Sequence, residues 1–169
     1  NQDFTATQPN KVWLTDITYL WTKEGWVYLA AVLDVFSRVI VGWAISDRLK
    51  KELVVQSLRN AMLQRNPDQG LIIHSDRGSQ YASEKVRTMI NNAGFKQSMS
   101  GSGNCYDNAM MESFFHSLKS EHIHFQNYKT RDAVKSDLFE HIELFYNRER
   151  RHSGIGNLSP FEYERRFRS

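Results

Sequence analysis

The sequence predicts an α/β domain with a mixed five-stranded sheet and helices on both faces. Three observations carry this. The first 45 or so residues hold three consecutive segments rich in β-branched and aromatic residues, separated by short turns. Two short apolar runs follow later, each joined to the next by a segment of helical period. The chain has 169 residues, with 40% hydrophobic and 24% charged side chains. It shows no internal repeat, so it favours one domain with one sizeable core.

The elements follow in order. Residues 1–10 are polar, end in Pro9-Asn10, and read as an arm or linker. A first strand covers about 11–20. Thr22-Lys-Glu-Gly25 turns the chain into the near-continuous apolar run Trp26–Leu33, the pattern of a strand buried on both faces. Asp34 stands at the turn that follows and reads as a structural turn residue. Val39–Ile45 then returns, completing an antiparallel meander. Leu49–Gln64 has the period of a helix, which Asn66-Pro67 ends. A right-handed crossover from there lays the fourth strand, 71–75, parallel to the first and beside it. Ser83 caps a helix that Ala93-Gly94 stops, and Phe95–Met99 is a fifth strand. Ser100–Asn104 is flexible by composition. A helix follows with Asp107 or Asn108 at its cap and Met111, Phe114, Phe115 and Leu118 on its buried face. Thr130 to about Arg150 reads as one long helix, and Ser159-Pro160 starts a last short one with Pro at its first position. The expected organisation is an arm over 1–10, a core over 11–128 and a helical extension over 129–169 packed on it.

Three acids stand out against this frame. Asp16 falls in the middle of a strand, where Asp is depleted. Asp76 stands at the carboxyl end of the fourth strand, the edge at which open α/β sheets bind ligands. Glu112 lies one turn into its helix, with His116 and Lys119 on the same edge four and seven residues on. Three carboxylates without cysteine partners suit hard, oxygen-preferring Mg²⁺ or Mn²⁺. Two such ions could serve an in-line displacement at phosphorus. Ser75 and Ser79 lack a base, which argues against a covalent serine mechanism. The single cysteine, Cys105, excludes an internal disulfide and a cysteine-rich zinc site. No apolar stretch reaches the length of a membrane span and no signal-peptide pattern opens the chain, so the cytosol is the default compartment. Asn1 in place of Met reads as an excised fragment or a processed chain.

The motifs Trp13-x-Thr-Asp16, His74-Ser-Asp-Arg-Gly-Ser-Gln-Tyr81 and Asn104-x-Tyr-Asp-Asn-Ala-x-x-Glu-Ser-Phe-Phe115 resemble the catalytic core of bacterial insertion-sequence transposases of the DDE class, which are similar to retroviral integrase cores. A gap of 35 residues, 77–111, separates Asp76 from Glu112. Leu33–Trp43 and the tail Phe145–Gly154 with Leu158–Glu162 match as well, so the resemblance runs along most of the chain. It implies a ribonuclease-H-like fold. It also implies metal-dependent DNA strand cleavage followed by transfer of the freed 3′-hydroxyl at element ends, with Asp16, Asp76 and Glu112 catalytic and metal-binding. The implied partners are the element's terminal repeats, target DNA and further copies of the chain on that DNA, in the bacterial cytoplasm at the nucleoid. A structure-selective nuclease of the same fold is the second reading. The candidate DNA contacts are Lys119, His116, Asn104, Tyr106, Arg148 and Arg151. His116 departs from the basic residue common at its position in the family, which makes the local charge pH-dependent. The net charge of +3 is modest, so any basic surface must come from clustering, as in Arg148–His152 and Arg165–Arg168. His74 reads as a packing or carboxylate-orienting residue.

Overall fold

The computed structural model describes residues 5–100, 109–123 and 126–168. Strands β1 (Val12–Thr22), β2 (Gly25–Asp34) and β3 (Ile40–Ser46) form the antiparallel meander. Helix α1 (Lys51–Arg65) crosses over and delivers β4 (Ile72–Ser75) parallel to β1. Helix α2 (Glu84–Asn92) leads to β5 (Lys96–Met99), which pairs in parallel with β4. The sheet order is β3-β2-β1-β4-β5. Helices α3 (Ala109–Glu121), α4 (Arg131–Phe139) and α5 (Pro160–Arg168) complete the chain.

Strand alternation divides the core into two layers. Val12, Leu14 and Leu20 of β1 face a cluster that holds Met111, Phe114, Phe115 and Leu118 of α3 and Val134 and Leu138 of α4. Trp13, on the opposite parity, joins Val54 and Leu58 of α1 and Val86 and Ile90 of α2. Residues from 129 onward therefore share a core with β1 and β2. Gly42 on β3 is a point of closest approach. A Cβ built there would lie 2.5 Å from the backbone nitrogen of Ala61, so only glycine lets α1 sit this low on the sheet.

The helix ends follow local chemistry. The Ser83 hydroxyl accepts from Val86 N–H at 3.3 Å and the Thr130 hydroxyl from Ala133 N–H at 3.1 Å. Ser159 accepts from Glu162 N–H at 3.3 Å and sets Pro160 at the first position of α5. The predicted caps Asp107 and Asn108 lie outside the described residues.

One element departs from expectation. The long helix predicted from Thr130 to Arg150 is α-helical only to Phe139, then widens into π-helical turns over Glu140–Tyr146. The reason is tertiary. Asn147 N–H bonds the carbonyl of Ile142 at 3.1 Å, one residue further back than in an α-helix. The Asn147 side chain, fully buried, accepts from Ile40 N–H at 2.9 Å and donates to Ile40 C=O at 3.1 Å. The wider turn delivers that carboxamide to the rim of β3 while Ile142 and Tyr146 stay in the core.

Candidate active site

Two of the acids come from neighbouring strands. The β1–β4 register pairs Leu14 with His74, and Asp16 and Asp76 each stand two residues further along. Asp16 has the parity of Leu14, so the pleat turns it toward the face that α3 covers, while Asp76 follows directly on the last residue of β4. Asp16 is half-buried and its Oδ1 accepts the N–H of Ile17 at 2.8 Å. Asp76 is exposed just past the end of β4, and its Oδ1 accepts the N–H of Gly78 at 2.8 Å, which shapes the turn. Asp34, by contrast, is fully buried at the end of β2. It accepts from the backbone N–H groups of Asn10 and Phe36, and burial raises its carboxyl above the ordinary range. It holds the turn, as expected.

Tyr81 was quoted within a motif but given no role by its sequence. It is buried, with its hydroxyl 3.2 Å from the Thr15 hydroxyl. Burial raises its pKa, and the charges of Asp16 and Asp76 raise it further, so the phenol stays protonated beside both acids. His74 is fully buried in β4 with Nδ1 2.9 Å from the Ser98 hydroxyl on β5.

Glu112 lies in the first turn of α3, exposed, beside the fully buried Met111. Met111, Phe114, Phe115 and Leu118 dock α3 on the β1 face that carries Asp16. The helix thus brings the third acid to the correct side of the sheet. Among the described residues, no three acidic, histidine or cysteine side chains converge closely enough to hold one ion. The segment 101–108 that leads into α3 lies outside those residues, and with it Asn104 and Tyr106.

The remaining candidates separate. Lys119 is half-buried, with its ammonium 5.1 Å from the centre of the Tyr19 ring, and burial lowers its pKa. Glu121, a possible ion partner for it, is instead forked by Arg150 at 2.6 and 2.9 Å. His116 is exposed on α3. Arg148 stacks 5.1 Å over Phe161 and, with Arg151, Arg165 and Arg166, lines a cleft of about 870 Å³ against α5. Helix α5 docks on the β2–β3 turn through Phe36 against Tyr163 and through the Ser37–Glu164 hydrogen bond. That turn is at the end of the sheet where β4 begins, whereas Asp76 is at the end toward which β4 runs. The structure therefore does not bring Arg148 and Arg151 to the acids.

Known proteins agree with this geometry. Two family models, each described as an integrase core domain, match residues 6–105 and 112–167. The chain belongs to the integrase core family. The transposase for insertion sequence element IS904 of Lactococcus lactis is 48% identical over 165 residues, 98% of this chain and 65% of the relative. The InsF transposase for IS3A of Escherichia coli is 46% identical over 163 residues, 96% of this chain and 57% of the relative. An uncharacterized 31 kDa protein of insertion element IS600 from Shigella sonnei is 47% identical over 167 residues, 99% of this chain and 61% of the relative. The chain spans roughly three fifths of the length of these curated relatives. Among solved structures, the HTLV-2 integrase catalytic core in complex with magnesium superposes with a TM-score of 0.70 at 15% identity, covering 95% of this chain and 99% of that one. A chain of the simian T-cell lymphotropic virus intasome gives 0.78 at 17% identity, covering 96% and 57%. The fold is therefore that of the integrase cores, ribonuclease-H-like, as the resemblance implied and in agreement with the mixed five-stranded sheet. Integrase cores depend on divalent metal, and the donor set here fits one: oxygen ligands only, with two of them brought by neighbouring strands. Among the described residues, no helix is long and apolar enough to cross a membrane.

Proposed function

We propose that this chain is the catalytic core of a DNA transposase that cuts a strand at an insertion-sequence end and joins it elsewhere. The observation that supports the reading is the β1–β4 register: continued two residues past Leu14–His74 it leads to Asp16 and Asp76, on the sheet whose β1 face α3, the helix of Glu112, packs against. In the first step a water oxygen attacks a phosphodiester, the bond to the 3′-oxygen breaks, and a 3′-hydroxyl is freed. In the second that hydroxyl attacks another phosphodiester and displaces its 3′-oxygen. One bond forms for each broken, so no external energy source is needed. Mg²⁺ or Mn²⁺, as a pair of ions, would activate the attacking oxygen and stabilise the leaving one. Asp16, Asp76 and Glu112 would hold the ions. The Tyr81 phenol, kept neutral, fills the space behind Asp16 and Asp76 without competing as a charged group. Lys119 would hold the phosphate backbone on the α3 side. The substrates are the element's terminal repeats and target DNA, and several copies of the chain would assemble on them in the bacterial cytoplasm.

Asp16→Asn, Asp76→Asn and Glu112→Gln are each expected to abolish both cleavage and joining of labelled element ends while leaving the unfolding midpoint unchanged or raised, because like charges are relieved. A folded variant that keeps near-normal cleavage would refute its assignment. Cleavage without joining by the unaltered protein would favour the nuclease reading.

A further inference from the structure

The β1–β2 hairpin carries an aromatic surface that the strand-transfer chemistry does not use. Tyr19 is 57% exposed, Trp21 59% and Trp26 43%. Burial of such rings is the rule, and three on one two-stranded ribbon form a patch where scattered single residues would be ordinary. The register sets Trp21 opposite Trp26, and Tyr19 lies on the diagonal. The rings meet edge to face, with Tyr19–Trp26 centroids 5.1 Å apart at 89° and Trp21–Trp26 centroids 4.9 Å apart at 72°. Edge-to-face packing fixes the rings against one another and leaves flat faces open to solvent, which is consistent with their exposure. Cross-strand pairing alone stabilises a hairpin by less than about 1 kcal/mol per pair and does not require that area to be left uncovered.

Two cations bracket the patch. The Lys119 ammonium lies over the Tyr19 ring at 5.1 Å. Arg131, at the start of α4, donates through Nε to the carbonyl of Trp26 at 3.2 Å. Glu24, beside it, accepts the backbone N–H of Arg131 at 2.7 Å. Position adds a second argument. Strand β4 pairs with β1 only over Val12–Leu14, so beyond the acids that edge of β1 is open; Tyr19 lies three residues and about 10 Å beyond Asp16, on the opposite face of the strand, and Lys119 of α3 reaches its ring around the open edge. Lys119 belongs to the same helix as Glu112. Flat aromatic faces, flanking cations and a distance of a nucleotide or two from the acids together match one ligand chemistry.

We infer that Tyr19 and Trp21, with Trp26 behind them, form a stacking platform for an unpaired nucleobase of the DNA strand next to the phosphodiester held at Asp16 and Asp76. This rests on the DNA reading above. The base would lie against a ring face, while Lys119 and Arg131 draw in the phosphates on either side of it. Stacking tolerates any base, so the platform would favour frayed or single-stranded ends over paired ones without reading sequence.

The experiment compares three probes bound by the 169-residue chain, with Ca²⁺ present to prevent turnover: a blunt duplex, the same duplex with a single-stranded overhang, and one whose overhang has equal phosphates but abasic sites. The unaltered chain is expected to bind the base-bearing overhang about tenfold more tightly than the abasic one, with quenched tryptophan fluorescence. Tyr19→Ala and Trp21→Ala, both at exposed positions, are expected to erase that preference and the quenching while leaving affinity for the blunt duplex within about twofold. Tyr19→Phe should retain the preference. Equal binding of base-bearing and abasic overhangs would overturn the platform and leave the DNA reading intact. No binding of any probe would overturn both. Self-association of the chain that Trp21→Ala abolishes, with no preference among the probes, would assign the patch to a protein interface and also overturn the proposal.

Discussion

Mild acid should loosen the docking of α3, and the size of the effect follows from two buried histidines. His141 stacks on His122 with ring centroids 4.7 Å apart, and His152 packs edge-on to Tyr146 at 5.1 Å. Burial lowers both from the ordinary 6.5 to about 4. For His141 the neighbouring His122 and Arg150 add to the lowering, while Glu121 and Asp137 oppose it. For His152, Arg150 and Arg38 lower and Glu121 opposes. Above pH 6.5 both states are neutral and the histidines contribute no pH dependence. Between 6.5 and 4 the unfolded chain takes up protons that the folded chain refuses, so stability falls as pH falls. Each pH unit in that window is worth about 1.4 kcal/mol per histidine, so going from pH 7 to pH 5 costs about 2 kcal/mol for each and up to about 4 kcal/mol for the two. Glu121, whose carboxyl is lowered from 4.5 by its hydrogen bond to Arg150, adds its own loss mainly as pH falls below 4.5, under the span from pH 7 to pH 5. Urea unfolding at pH 7, 6 and 5 measures this directly. His141→Phe, which keeps an aromatic ring beside Phe145, should remove about half of the slope. A midpoint that does not move between pH 7 and 5, or a slope unchanged in His141→Phe, would refute the reasoning.

Two further outcomes are expected. Lys119→Ala should lower affinity for duplex DNA and reduce the slope of log affinity against log salt by about one unit, as for one lost phosphate contact; an unchanged slope in a salt series would leave Lys119 as a packing partner of Tyr19. Arg65→Met should destabilise the fold by about 3 kcal/mol in urea unfolding at pH 7, because it strands the buried carboxylates of Glu164, bonded at 2.9 Å, and Asp34, 3.5 Å away. Asp34 already has a raised folded pKa, so protonation favours the folded state as pH drops and the variant's deficit should shrink toward acid; a deficit that grows there would contradict this.

The sheet and its order were legible because strand signals are local. β-branched and aromatic runs, the Thr22–Gly25 turn and the handedness of the α1 crossover together determine that β4 lies beside β1. That the strands carrying Asp16 and leading to Asp76 are neighbours followed from the same rules; their ladder ends at Leu14–His74, two residues before each acid. What escaped depends on distant partners. Nothing between Thr130 and Arg150 announces π-helical turns, because their cause is an asparagine meeting the backbone of Ile40, more than a hundred residues earlier. The charge cluster of Arg148 and Arg151 is visible in a sequence, whereas the end of the sheet on which it lands is not. Tyr81 and Tyr19 were hidden for the same reason: an aromatic residue in a turn or strand carries no mark of the acid or amine it will face.

The placement of the third acid differs in kind from that of the first two. Asp16 stands in the β1–β2 ladder, and Asp76 follows directly on β4, whose ladder with β1 ends at Leu14–His74, so their backbones are set by the sheet and the turn beside it. Among the described residues, α3 and with it Glu112 are held by side-chain contacts: the packing of Met111, Phe114, Phe115 and Leu118, and at the far end Arg150 bridging Glu121 and Ser117. A helix docked through an apolar stripe can slide or tilt at smaller cost than a strand can change register. The adjustable part of the site is therefore α3, and the groups that hold its last turn, Arg150, His141 and His152, lie some two to three turns from Glu112 along that helix. Changes there reach the carboxylate by moving a rigid helix, which is why the acid sensitivity of the histidine cluster bears on the site as well as on the stability of the fold.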